Sequence, residues 1–499
     1  MKTHCLCRFK HVPVILLFIF LIVPVSLVRG GEPTDNEAII SRYFEHIRGK
    51  PVLLRQFLLE MPKGGDLHHH IGGSVYAETF IDLAVKKGLY VNRDTGVLVE
   101  PPGAGGGADA EKVVPVARVY EDDALYERII FAWSLYNFHP FEETANNHFF
   151  SIGSRLRMGS TEEDTGDLLA IQRRRAAAEN VLYIEATTRF QKEYRRAVQK
   201  LAQSLAAKTD IETGDEKDFL NFRKRLVKHP FFKKAIADGA AKLQEIKTHS
   251  DRQLGDEPGG EVEIRFQYYI VRSVSKFDVL TEIITAFEAA KNSSLVVGIN
   301  IVAPENNHTA RRDYGAHMKM IAVIGSQYPG IKRSLHAGEL VLGQAVPEAL
   351  RFHIRDAVNV AGADRIGHGT DIAYEIGAIE TVKNMRDKKI AVEILLTSNE
   401  LLLGVKGSDH PFPYYVEVGV PVVLAGDDPG MMRTTHTQEF YLAVTRYPTI
   451  TYLDLKGFAV NSIRYSFLDD RTGERLLKIL NAKFQVFEER WRAEGSRGE

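Results

Sequence analysis

Eight strand-like runs in strand–helix alternation, with distinctive polar residues just after the apolar part of five of them, predict an α/β protein of the (β/α)8 TIM-barrel class. The runs fall at 65–73, 180–188, 263–271, 295–301, 331–336, 365–368, 391–396 and 421–425. His68 and His70 end the first run, His336, Gly338 and Glu339 the fifth, and His368 the sixth. Ser398 and Asn399 follow the seventh run, Asp427 and Asp428 the eighth. In a closed barrel those ends share one rim and the last strand lies beside the first. A doubly wound open sheet would separate them.

In chain order, Lys2, Arg8 and Lys10 precede an apolar run from Val12 to Val28, the pattern of a secretory signal over residues 1–30. Cleavage gives a secreted or periplasmic protein. The alternative is an uncleaved anchor, and no other stretch is apolar enough to cross a membrane. Both cysteines, Cys5 and Cys7, lie in this segment, so the mature chain has no disulfides and no thiolate ligands. Residues 31–60 read as a helical N-terminal extension. Ile39, Ile40, Tyr43, Phe44 and Ile47, then Leu53, Leu54, Phe57 and Leu58 beyond Pro51, recur at helical spacing.

The barrel then occupies 61–499, with helical insertions near 89–175 and 191–260 between the early strands. Tyr76 to Lys87 is a helix stopped by Gly88, and 101–108 is a Pro/Gly loop. A mostly helical region follows through Trp133, Phe138, Phe149 and Phe150. The charged segment 191–260 reads as solvated helices with a disordered tip around Gly255 to Gly260. The whole chain of 499 residues has 44% apolar and 26% charged residues and a formal charge of −1, which leaves no basic excess for coating nucleic acid. Nothing in the pattern specifies an oligomer.

Alternate strand residues share a face, so His68 and His70 project together and His69 faces the barrel wall as a bystander. With His336 and Asp427 they form a ligand set for zinc, with water completing the shell and ionising near neutral pH. Each of these residues alone reads as well as a satisfied core or loop residue; it is their gathering on one rim that points to metal. Glu339, three residues after His336, can reach over the same pocket to exchange protons, or be a carboxylate favoured at a helix N-terminus. His368 falls outside the four-ligand set and is assigned to orienting or deprotonating the metal water. Asp427 and Asp428 point in opposed directions, one toward metal and one toward substrate. Ser398 and Asn399 either hold those carboxylates or cap a helix before Glu400. Cysteine-type zinc deaminases and P-loop or dinucleotide signatures are absent.

Leu67-His68-His69-His70, Ser334-Leu335-His336-Ala337-Gly338-Glu339, Arg365-Ile366-Gly367-His368-Gly369 and Gly426-Asp427-Asp428-Pro429 together resemble the adenosine deaminase family of the metal-dependent amidohydrolases. The signal segment, helical extension and Met61-Pro62-Lys63-Gly64 lead-in resemble its secreted branch, the adenosine deaminase-like growth factors and exported bacterial enzymes. The resemblance implies one Zn2+ per chain held by His68, His70, His336 and Asp427, since the fourth strand ends without the lysine that bridges two metals in related enzymes. It implies that Glu339 protonates purine N1, that His368 positions the hydroxide attacking C6, and that Asp428 accepts a hydrogen bond from the N7 side. Adenosine would become inosine, and 2′-deoxyadenosine would become 2′-deoxyinosine, each with release of ammonia.

The substrate contacts depart from the family pattern. Gly72 stands where an aspartate usually meets the ribose, Ala303-Pro304 replaces a glycine-aspartate at the purine, and Leu395-Leu396 replaces a Cys-Pro. The partner expected is therefore a small purine nucleoside. The alternatives are deamination of another aminopurine or amino-heterocycle, and a growth-factor-like extracellular binding protein with a residual barrel.

Overall fold

The computed structural model describes residues 34–101, 110–139, 143–156, 158–206 and 214–495. The signal segment, with Cys5 and Cys7, and most of the 101–108 loop lie outside the described residues. Among the described residues no helix is long and apolar enough to cross a membrane.

Eight parallel strands run in chain order around one sheet: β1 Gly64–His70, β2 Val181–Thr188, β3 Glu263–Val271, β4 Val296–Val302, β5 Lys332–Ala337, β6 Arg365–His368, β7 Ala391–Ile394 and β8 Val422–Leu424. The last strand returns to the first just past its own end. Asp427 N–H donates to His68 O (2.9 Å) and His70 N–H to Asp427 O (3.0 Å). The chain is thus a (β/α)8 TIM barrel, nearly closed, whose seam is bonded at the height of the histidines. Both barrel faces are covered, so the strands read as near-continuous apolar runs such as Val181-Leu182-Tyr183-Ile184.

The N-terminal extension forms two helices, Asp35–Ile47 and Pro51–Glu60. Thr34 and Glu37 make a reciprocal capping box on the first, and Pro51 takes the first-turn position of the second, where its missing N–H costs nothing. Phe44 and Phe57 are fully buried against Tyr452, Phe487 and Trp491 of the C-terminal helices. The extension therefore belongs to the main core and is not an appendage.

The region after β1 differs from the mostly helical expectation. It contains a three-stranded antiparallel sheet, Tyr90–Asn92, Leu98–Val99 and Val113–Pro115. Asn92 turns the first pair by accepting from the N–H groups of Asp94 and Thr95, and the β-branched residues around it favour strand over helix. This sheet and the helices to Leu168 build a second apolar core that also takes in Leu402, Leu403 and Met432 from beyond β7 and β8. The tip at 255–260, expected to be disordered, is ordered. Arg173 donates to Gly260 O (3.1 Å) and Val262 O (3.2 Å), and Arg174 pairs with Glu257. A buried arginine from the helix before β2 thus holds that tip in place from 87 positions away in the sequence.

Candidate active site

At the C-terminal rim, His68 and His70 from β1, His336 from β5 and Asp427 after β8 meet at one point. His68 Nε2 lies 3.0 Å from His336 Nε2 and 3.5 Å from Asp427 Oδ1. His70 Nε2 lies 3.3 Å from both. Tetrahedral zinc with its usual bond lengths places ligand atoms about 3.3 Å apart.

The hydrogen bonds behind the imidazoles decide what those atoms carry. His68 Nδ1 faces Glu393 Oε2 at 2.7 Å and must donate. Gln267 Nε2 donates to the backbone oxygen of Leu67 (3.1 Å), which fixes the amide, so Gln267 Oε1 accepts from Asn300 Nδ2 (2.7 Å). Asn300 Oδ1 then accepts from His336 Nδ1 (2.9 Å). Thr187 Oγ1 donates to His69 O (3.4 Å) and so receives His70 Nδ1 (2.8 Å). In the neutral rings all three Nε2 atoms are bare lone pairs turned on one another and on a carboxylate oxygen. A cation resolves that repulsion, and the donor set of three imidazoles and one carboxylate suits zinc.

Electrostatics agree. Burial takes His70 down to about 4 and His336 well below its ordinary value, leaving neutral ligands. His68 goes the other way, because Glu393 outweighs its burial. Burial acts upward on Asp427, but the facing His68, His368 and His70 outweigh it and bring the carboxyl to about 2.

His368 stands beside this set with the opposite tautomer. Phe412 N–H donates to His410 Nδ1 (3.1 Å), so His410 Nε2 donates to Asn399 Oδ1 (3.0 Å), and Asn399 Nδ2 donates to His368 Nδ1 (3.0 Å). His368 Nε2 therefore bears the proton and points into the site, 3.8 Å from Glu339 Oε1. A ring with a proton there donates and does not ligate. The residue sits at φ 68°, a left-handed conformation unusual for a side chain of this size.

Glu339 is buried with no cation within ion-pair distance among the described residues. Burial, with the Asp427 charge second, pushes its carboxyl up to about 8. Its backbone is held from behind, where Glu305 accepts the N–H groups of Gly338 (3.2 Å) and Glu339 (2.8 Å). Arg272 lies 3.5 Å from Glu305, and with His353 it overcomes burial to bring that carboxyl to about 2. Gly338 has φ 78°, and a Cβ there would meet Asp371 at 2.5 Å, so the turn that presents Glu339 needs glycine. Burial and the neighbouring Asp427 raise Asp428 well above the carboxylate range. Gly73 makes room for it, since a Cβ there would lie 1.5 Å from Asp428 Oδ1.

These groups open into a cavity of about 520 Å³. Its wall includes all the residues expected at substrate, Gly72, Ala303 and Asp428, together with Phe149 and Phe150 of the insertion. Gly72 has open space where a Cβ would go. Ala303 keeps a glycine-like φ of 84°.

Two assignments change. His69 is no bystander: buried, it is clamped between Asp66 Oδ2 (3.0 Å) and Gln172 Oε1 (2.8 Å) beside the barrel seam. Ser398 and Asn399 do not cap a helix, because both lie inside one, Leu396–Leu403. Asn399 serves His368, and only Ser398 stands beside Asp427. Behind the ligands lies a polar layer the motifs did not announce. Glu393 also takes Ser334 Oγ (2.8 Å) and Arg365 Nε (2.6 Å), Arg365 pairs with Glu185, and Glu185 takes Gln267 Nε2 (2.9 Å). The circuit runs from His68 through Glu393, Arg365, Glu185, Gln267 and Asn300 to His336. Its signal in the sequence is a fully buried polar residue inside each of four mostly apolar runs: Glu185, Gln267, Asn300 and Glu393.

A family model described as adenosine deaminase matches residues 251–483. The adenosine deaminase of Clostridium botulinum (strain Okra / Type B1) is 28% identical over 199 residues, 39% of this chain and 55% of that protein. The N6-methyl-AMP deaminase of Mus musculus is 36% identical over 151 residues, 30% of this chain and 39% of that protein. The chain spans about half the length, or less, of these curated relatives. An amidohydrolase structure from Burkholderia ambifaria with bound Zn superposes with a TM-score of 0.52 at 18% identity, covering 94% of this chain and 98% of that one. That likeness speaks to the fold.

Proposed function

We propose that this chain, which belongs to the adenosine deaminase family, is an exported hydrolytic deaminase that holds one zinc ion and removes the 6-amino group of adenosine or a close purine relative as ammonia. The observation that carries the reading is the convergence of three bare imidazole nitrogens and one carboxylate oxygen beside a protonated Glu339. His68, His70, His336 and Asp427 would hold the metal, which supplies Lewis-acid activation of water near neutral pH.

The remaining chemistry belongs to the chain. Glu339 carries a proton at neutral pH and can place it on a ring nitrogen, where it draws electrons from the carbon under attack. His368 presents Nε2–H to the developing negative charge on that carbon's oxygen substituent. Asp428, kept protonated, can donate to a purine acceptor such as N7, which reverses the accepting role the resemblance implied. Phe149 and Phe150 add apolar surface to the cavity wall.

The experiment is incubation of the metal-loaded protein with adenosine, 2′-deoxyadenosine, their monophosphates and adenine, read by ammonia release and by metal content. One zinc per chain and turnover lost in Glu339→Gln are expected. No ammonia from any 6-aminopurine would remove the deaminase reading. Export rests on the basic-flanked apolar run from Lys2 to Val28. N-terminal sequencing of protein recovered outside the cytoplasm checks it, and retention of the full chain in the cytosol would refute it. Gly72 and Ala303, together with the N6-methyl-AMP relative, favour a second reading in which the aminopurine is not adenosine itself.

A further inference from the structure

The far wall of the cavity carries charge that the chemistry at the metal end does not use. β2 ends at Thr188, and the chain continues through Arg189, Phe190 and Gln191 into the helix Lys192–Ala206, whose first turn bears Arg195. Both arginines line the same cavity as His336, Glu339 and Asp427. In the strand register His70 stands opposite Thr187. Arg189 lies two residues further out, roughly 7 Å of extended chain beyond the metal level. Its guanidinium sits over the Tyr269 ring at 4.9 Å, and Arg195 Nε donates to Phe190 O at 2.8 Å.

Among the described residues neither has a carboxylate within ion-pair distance. The buried arginines nearby all do: Arg272 has Glu305, Arg365 has Glu185 and Glu393, and Arg173 has Asp251. Two acids lie in the vicinity. Glu282 is buried, which pushes its carboxyl upward against the charges of both arginines, and among the described residues it lies within ion-pair distance of neither. Glu162, at the cavity edge, receives Lys192 N–H (2.6 Å) at the start of that helix. Hydroxyls complete the wall at Ser160, Thr161 and Thr188, and the space beside Gly72 is open and uncharged.

We propose that Arg189 and Arg195 form a phosphate subsite, and that the substrate is a purine nucleoside monophosphate whose base reaches the metal centre while its phosphate meets the two guanidinium groups. The inference rests on the deaminase reading for the identity of the base. Guanidinium matches phosphate with parallel charge-assisted bonds, and a ring-stacked arginine is already oriented to make them.

The test compares adenosine, adenosine 5′-monophosphate, adenosine 3′-monophosphate, and adenosine with added inorganic phosphate, on the metal-loaded wild type and on Arg189→Met/Arg195→Met. One monophosphate should exceed adenosine in kcat/KM by about 10–100-fold. The double variant should lose that advantage through KM while its turnover of adenosine is unchanged. Free phosphate should not substitute for the attached group. Equal kcat/KM for nucleoside and nucleotides, or an advantage that survives the double substitution, overturns the proposal. If nothing is turned over, the deaminase reading has failed, and the subsite is judged by calorimetry. Phosphate-dependent binding of inosine monophosphate over inosine, lost in the double variant, supports it; equal binding refutes it.

Discussion

The two ends of the cavity are built on different terms. At the metal end the functional side chains sit at or just past strand ends, and buried polar partners hold the rear of the imidazoles (Glu393, Asn300, Thr187 and Asn399) and the backbone of Glu339 (Glu305). At the outer end the wall comes from an insertion and a strand–helix connection, and among the described residues its cations have no carboxylate within ion-pair distance. A site that must hold lone pairs within fractions of an ångström needs the closed barrel and its polar layer behind it. A wall that need only select a substrate can be carried by loops and insertions, which change without disturbing the strands. Chemistry and specificity are separable here because different parts of the chain supply them.

The sharpest way to break that separation is at Glu339. Glu339→Gln removes the proton source and leaves the ligand set alone, so kcat should fall by about 10²–10⁴-fold with metal content unchanged. Loss of metal together with activity would mean that Glu339 supports the centre and does not act on substrate. Next comes the layer behind the ligands. Glu393→Gln deprives His68 Nδ1 of its charged acceptor and Arg365 of one of two partners. Metal affinity should weaken by about 10–100-fold in competition with a chelator. Asn399→Ala, by contrast, frees the tautomer of His368 without touching a ligand. Its kcat should fall while the chelator curve stays in place, and a shifted curve would put His368 among the ligands.

Stability should respond to pH through Glu439, which anchors the helix bearing Asn399 by accepting Thr397 N–H (3.0 Å). Burial raises its carboxyl to about 7 in the folded protein. The native state then holds a proton that the unfolded chain has released, so stability declines as pH rises from about 4.5 to about 7 and is flat above. For a fully buried group the span is of order 3 kcal/mol. Glu439→Gln should flatten the wild-type slope in urea denaturation across that window. An unchanged slope would assign it elsewhere.

The sequence carried the metal end because its ligands come in short motifs at strand ends, where alternation and spacing are local facts. His68, His70, His336 and Asp427 could be placed on one rim once the strands were counted. The supporting layer could not, since Glu393 meets His68 across more than 300 positions and only closure of the barrel brings them together. For His69 the strand period gives only a direction; the clamp that holds it needs Gln172, about a hundred positions on, as well as the nearby Asp66. Asn399 looked like a cap because Ser-Asn before an apolar run is the usual cap signal, and the helix begins at Leu396 instead. Between β1 and β2, helix and strand propensities compete closely in short Val- and Tyr-containing segments. Packing decided for a small sheet.

The smallest expected effect lies at the junction of the two ends, at Ala303. It follows β4 directly with φ 84°, where an L side chain costs roughly 1–2 kcal/mol. Ala303→Gly removes that strain but adds about 0.5–1 kcal/mol of unfolded-state freedom, so the net change should be small and favourable. A melting temperature equal to or slightly above wild type, with unchanged metal affinity, is expected. The kinetic reading matters more. If the Cβ at Ala303 shapes the substrate wall, the glycine variant should alter KM among aminopurines while leaving kcat for the best of them in place. A change in kcat common to all substrates would instead tie this residue to the metal end, and the division between the two ends would have to move inward past β4.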